Sequence, residues 1–164
     1  MNARASTRRP AVGSLDVLQQ LRVVVRLASN HSARVERSTG IPGAQLWALH
    51  EVAQSDGLRV GELAHRLRLH QTTASNLLAR LEVAGLVRKG RSPDDQRIVH
   101  VRLTAAGRKA LRVAAGPARG LLPNVLEGMS AAQRRKVHDG LAVLVACMGG
   151  FDPALAARPL PFTE

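Results

Sequence analysis

Between Gly57 and Arg112 the periodicity of the chain changes twice, and this constrains the fold more than any other feature. Val60 to Leu67 (VGELAHRL) has the spacing of a short helix, and Arg68 to His70 reads as a tight connection. Gln71 to Ala84 follows as a second helix, with Ala74, Leu77, Leu78 and Leu81 inward and Gly85 as its left-handed stop. Leu86 to Arg91 and Arg97 to Leu103 then switch to a period of two. Ile98, Val99 and Val101 are β-branched there, and Ser92-Pro93-Asp94-Asp95 supplies turn chemistry between two strands. Thr104 is placed to cap a further helix. Two helices, a hairpin and a new helix in this order predict a winged helix-turn-helix. The fold class is mainly α with a small β-hairpin wing, flanked by N- and C-terminal helices.

The flanks divide at composition breaks. Residues 1–12 (MNARASTRRPAV) read as a disordered basic arm. Residues 13–56 hold two helices. The first runs from Ser14, its expected N-cap, to about Ser38, with Leu18, Leu21, Val25, Ala28, Ser32 and Val35 on one face. Gly40 ends it, and Pro42 opens the second, whose apolar face is Leu46, Leu49 and Val52 or Ala53. The winged segment occupies 57–112. In 113–150, Gly116-Pro117 and Gly120 to Pro123 should kink or split the chain. A last helix capped by Ser130 then carries Val137, Leu141, Leu144, Val145 and Met148 as a stripe. The tail, 151–164, reads as irregular. Apolar stripes on both end helices suit a homodimer interface, or else packing within one subunit.

The charge is concentrated where the periodicity changes. The chain carries 24 Lys and Arg against 12 Asp and Glu, with a sequence pI near 11.7. Residues 57–112 hold twelve of those cations and only four of the anions. A polyanionic partner follows, nucleic acid or an anionic membrane. The longest uncharged apolar run, Leu141 to Phe151, is too short to span a bilayer, and no signal-peptide pattern follows the N-terminal arginines. One cysteine, Cys147, excludes an intramolecular disulfide, and a cytoplasmic protein is the expectation.

The second helix of the winged segment is suited to double-stranded DNA. Its outward residues are Gln71, Thr72, Thr73, Ser75, Asn76, Ala79 and Arg80, with no acidic side chain before Glu82. Asn and Gln can bond adenine in a bidentate manner, Thr and Ser can bond bases or phosphates, and Arg pairs with guanine or phosphate. Arg97, near the hairpin tip, is placed to enter a minor groove, with Asp95 able to hold it by an ion pair. Arg88, Lys89 and Arg91 on the adjoining strand would face phosphates. The large positive charge alone would equally suit a low-specificity, nucleoid-type DNA coat.

The run ELAHRLRLHQTTASNLLARLEVAGLVRK, followed by DDQR and VRLTAAG, resembles the MarR family of bacterial transcription regulators over about residues 57–110. The resemblance implies a triangular homodimer whose terminal helices form the interface and whose two wings straddle DNA. It places Thr72, Thr73, Ser75, Asn76 and Arg80 on the recognition helix, and Asp95 and Arg97 on the wing. It also implies a small-molecule effector, often an aromatic acid, in a cleft that His31, Trp47 and His50 could line. Two departures stand out. Asn76 occupies a position where many relatives carry Arg, and Pro117 and Pro123 interrupt a helix that is usually long.

Other chemistries find little support. The six histidines show no i,i+4 pair and no His/Cys cluster, so neither a metal nor a cofactor is expected. Cys147 lies in an apolar stretch with no nearby base and reads as an inert thiol. No nucleophile–base motif, glycine-rich phosphate loop or paired carboxylates point to an enzyme. The combined expectation is a dimeric transcriptional repressor on a pseudo-palindromic operator.

Overall fold

A 26-residue helix, α1 (Ser14–Thr39), is the first element of the fold. The structure is a computed structural model that describes residues 11–55, 57–91, 99–114 and 119–161. The basic arm up to residue 10, the hairpin tip with Asp95 and Arg97, and Pro117 lie outside the described residues. Gly13, not Ser14, is the cap of α1. Its N–H donates to Asp16 Oδ2 at 2.9 Å, so the first-turn carboxylate satisfies the backbone and leaves Ser14 as the first helical residue. Gly40, at φ 70°, ends α1 by donating to the Glu36 carbonyl.

Helix α2 (Gly43–Ala53) is buried on most of its circumference: Ala44, Leu46, Ala48, Leu49, Glu51 and Val52 are all inaccessible, whereas Ala53 is exposed. It packs against α3 (Val60–Leu67), α4 (Gln71–Val83) and the hairpin of β1 (Val87–Arg91) and β2 (Val99–Leu103). The largest fully buried side chains are Leu46, Leu49, Val52, Leu58, Leu63, Leu78, Leu81 and Val101. Each such Leu contributes about 1.5–3 kcal/mol on leaving water. The core therefore lies in the winged unit, with α2 as its central rod.

The hairpin pairs antiparallel, from Val87 opposite Leu103 to Arg91 opposite Val99. Leu58 adds a third, one-residue strand: it exchanges both backbone hydrogen bonds with Val101, at 3.1 and 2.8 Å. His100 Nδ1 donates to the Gly57 carbonyl at 2.8 Å and ties this edge down.

Past the hairpin the chain runs through α5 (Ala105–Val113) and α6 (Leu121–Gly128), so the interruption expected here splits the helix. Pro123 is the third residue of α6, where its missing N–H would have had no intrahelical partner anyway. Helix α7 (Ala131–Cys147) begins with a capping box between Ser130 and Gln133 and contributes no buried residue. Its expected stripe is largely uncovered in the single chain, with Leu141 48% and Met148 78% exposed and Leu144 and Val145 half-buried. The α1 stripe is covered only in its second half: Ala28, Ser32 and Val35 are buried, and Leu18 and Val25 are exposed. The tail is not wholly irregular. Asp152 caps a one-turn helix, α8 (Pro153–Ala156), because its Oδ1 accepts from the Ala154 N–H.

Candidate nucleic-acid interface

Two turns of the same kind aim α4. At the end of α3, the Leu69 N–H donates to the Ala64 carbonyl and the Arg68 N–H to the His65 carbonyl. This is a Schellman turn with Arg68 in the left-handed region at φ 55°, where glycine is the usual occupant. At the end of α4, Leu86 and Gly85 repeat the pattern on the Leu81 and Glu82 carbonyls, with Gly85 at φ 68°. Between the turns, Ala74, Leu77, Leu78 and Leu81 anchor α4 in the core, as their spacing predicts.

The opposite face of α4 is open. Gln71, Thr72, Ser75, Asn76 and Arg80 are exposed, and Thr73 is half-buried on the flank toward α2. No side chain caps the first turn, where His70 is the N-cap residue. On the other flank the exposed Glu82 meets Lys89 of β1, Oε2 to Nζ 2.7 Å. The hydrogen bond from Lys89 holds the Glu82 carboxyl below the usual range. Lys89 is thus already partly neutralised, while Arg88 and Arg91 stay exposed on β1. Arg88 stands directly opposite Arg102 of β2 in the pairing register.

The junction from wing to α5 explains the Leu-Thr-Ala-Ala-Gly run. The Thr104 hydroxyl accepts from the Gly107 N–H at 3.0 Å and donates to the Gly85 carbonyl at 2.7 Å. One side chain thereby caps α5 and binds the residue that ends α4. Gly107 passes so close to the Leu86 carbonyl that any side chain would collide with it.

An apolar cavity of about 260 Å³ lies between α1, α2, the α3–α4 turn, the start of α6 and the tail. Trp47, Leu67, Leu69, Leu121 and Leu160 line it, joined by the guanidinium residues Arg68, Arg119 and Arg158. Of the sequence-derived pocket residues, Trp47 is in this wall but His31 and His50 are not. Successive helical residues point about 100° apart, so α1 presents Ala28 and Ser32 to the cavity in place of His31. His31 is buried beside Arg34, whose guanidinium donates to its Nδ1 at 3.3 Å. Burial first, and then the Arg34 charge, pushes its pKa down.

Sequence reasoning missed Glu51. It is 4% exposed, accepts from Trp47 Nε1 at 3.1 Å, and pairs with Arg119 Nε at 3.0 Å and Arg66 Nη1 at 3.8 Å. Its only sequence signal is an acid four residues after the single Trp, the one carboxylate of a mostly apolar helix. Through it the cavity wall is joined to α3. Among the described residues, no group of three or more His, Cys, Asp or Glu could hold a metal ion.

Comparison with known proteins agrees with this architecture. The MarR family's sequence profile matches residues 39–98, from the end of α1 to the second strand. The HTH-type transcriptional regulator YdgJ of Bacillus subtilis is 28% identical over 127 residues, 77% of this chain and 76% of that protein. A MarR family transcriptional regulator from Streptomyces coelicolor, solved in complex with DNA, shares the fold with a TM-score of 0.56 at 22% identity. That match covers 85% of this chain and 91% of the other. FabT of Streptococcus pneumoniae, also solved with DNA, gives 0.56 at 18% identity over 84% of this chain and 98% of its own. With its α2–α4 core, its hairpin and the Thr104–Gly107 junction in these positions, the chain is similar to the MarR family over residues 39–98 and shares the fold of these structures.

Proposed function

We propose that this protein is a sequence-specific, double-stranded-DNA-binding transcriptional regulator. In this reading it acts in the cytoplasm as a homodimeric, ligand-responsive repressor on a pseudo-palindromic operator. One observation carries it: α4 is anchored by four core residues and presents an exposed face of hydrogen-bonding side chains with no carboxylate before Glu82. Such a face fits a major groove, with Asn76 and Gln71 suited to base edges and Arg88 and Arg91 to phosphates. Arg97, between β1 and β2 in the chain, would enter the adjacent minor groove, with Asp95 steadying it. The DNA complexes of the two similar structures support the same use of the fold.

The dimer rests on the apolar residues that α1 and α7 leave uncovered, among them Leu15, Leu18, Val25, Leu141 and Met148. A monomer mass of 17.6 kDa at micromolar concentration would sink the two-fold operator. The ligand response rests on the cavity, whose apolar wall with Trp47 and the guanidinium residue Arg68 suits an aromatic or other apolar acid. No described helix is long and apolar enough to cross a membrane.

Fluorescence-anisotropy titration tests the reading: DNA from upstream of the protein's own gene against a scrambled duplex, at two salt concentrations. Preference of roughly a thousandfold or more that survives the higher salt supports a specific operator. Equal binding that collapses on both duplexes as salt rises would replace it with the nucleoid-type coat that the net charge of +12 allows.

A further inference from the structure

The chain returns to α4 after its last long helix. Gly149 and Gly150 close α7 with a third Schellman turn, donating to the Ala146 and Val145 carbonyls, and the backbone reverses. Beyond α8 the Ala157 carbonyl accepts from the His70 N–H at 3.3 Å. His70 is the N-cap residue of α4, so this bond sets the tail beside the start of that helix. Arg158 and Pro159 there form one wall of a cleft whose other walls are Gln45 of α2 and Thr73, Asn76 and Arg80 of α4.

We propose that Arg158 contacts the DNA phosphate backbone, so that the C-terminal tail flanks the recognition helix as a second wing. The inference rests on the reading of α4 as the groove helix.

Three observations support it. The first is position. Glu82 and its Lys89 partner put the hairpin on one flank of α4, whereas Thr73 and Arg80 put the tail on the other. A helix lying in the major groove has a phosphate strand along each side. The second is charge. Arg158 is exposed and makes no ion pair among the described residues, and the cleft it shares with Arg80 has no carboxylate in its walls. Two guanidiniums along one carboxylate-free cleft match the forked donor geometry that phosphate oxygens accept. The third is stiffness. Pro159 restricts the backbone of Arg158 to extended conformations, so less freedom is lost when the side chain is fixed on DNA.

The test uses the full-length chain and the same upstream duplex, comparing Arg158→Ala and Arg158→Lys with wild type from 50 to 200 mM salt. Loss of one phosphate contact lowers the slope of log affinity against log salt by about 0.9. Arg158→Ala should therefore bind more weakly at 50 mM, with the gap to wild type closing roughly 3.5-fold by 200 mM. Arg158→Lys should keep the wild-type slope, and the scrambled duplex should show the same change. A partly unfolded variant would lose apparent affinity without changing the slope, so the slope separates contact from damage. An unchanged affinity and slope would overturn the proposal. So would tighter binding by Arg158→Ala, which would make the tail a strap over the helix. If wild type binds neither duplex, the reading of α4 itself fails, and this inference with it.

Discussion

Gly107→Ala tests the junction on which the wing is hung. In an open helix this substitution gains up to about 1 kcal/mol, because alanine restricts the unfolded chain more than glycine does. At Gly107 the new Cβ would overlap the Leu86 carbonyl oxygen and stand 3.1 Å from Leu103 Cδ2. A backbone carbonyl cannot rotate aside like a long side chain, so α5 must retreat from the hairpin by roughly an ångström to reach van der Waals contact. Overpacking of this kind costs about 1–3 kcal/mol, and the displacement also strains the Thr104 bonds to Gly107 and Gly85. The cost exceeds the helical gain, and a net loss of about 2 kcal/mol would lower Tm by roughly 4–8 °C for a chain of this size. Thermal and urea unfolding followed by circular dichroism would measure it, with Gly61→Ala as the control. Gly61 is exposed near the start of α3 with nothing within 4 Å of its added Cβ, so that variant should hold or gain stability. If Gly107→Ala is as stable as Gly61→Ala, the close approach is not what makes glycine necessary there. Because Leu86 leads directly into β1, the folded fraction of Gly107→Ala should also bind DNA less tightly.

Three further outcomes follow from particular side chains. Glu51→Gln removes the charge shared by Arg119 and Arg66 and should cost about 1–3 kcal/mol in urea unfolding. Glu127→Gln, at the exposed partner of Arg119, should change stability by less than about 0.5 kcal/mol; equal effects would deny the buried carboxylate its role. His31 has a folded pKa below its unfolded one, so the unfolded chain binds the proton more readily. Stability should therefore be flat above the ordinary imidazole range near about 6.5 and decline as pH falls below it. His31→Gln should flatten the difference between urea midpoints at about pH 7.5 and 5.5; an unchanged difference would assign the dependence elsewhere. Asn76→Ala should weaken cognate binding by about 1–3 kcal/mol and leave scrambled DNA little affected, and an equal loss on both would refute base readout by this residue.

What could be read from the sequence was what depends on local rules. The inward positions of α4, the bounds of α3, the Gly85 stop and the Thr104 cap follow from periodicity and capping chemistry, which need only a few neighbouring residues. Arg68 gave no such signal, because a left-handed arginine is tolerated only when packing on both sides of the turn outweighs its strain. The Leu58 bridge is one residue long and has no period to detect. Helix α2 was expected to be one-faced, yet it is enclosed by several elements, so its pattern carries no direction. Glu51 likewise carries little local signal, because its partners Arg66 and Arg119 come from other elements of the chain. The outward face of α4 was legible as chemistry; the tail beside it was not, because a single turn held by one long-range hydrogen bond leaves no periodic trace.

The uneven placement of the core has a consequence for how the molecule holds together. Its fully buried large side chains all fall between Leu46 and Val101, whereas α7 buries none. The winged unit can thus be ordered by its own contacts, whereas in the homodimer proposed above α7 and the first half of α1 would gain theirs from a second copy. In that dimer, association and folding of those segments would be one equilibrium, governed by mass action. On dilution, amide protons of α7 and early α1 would exchange with solvent long before those of α2 and α4. The cell's concentration of this protein would then decide whether two reading heads are held in register, while each head by itself stays folded.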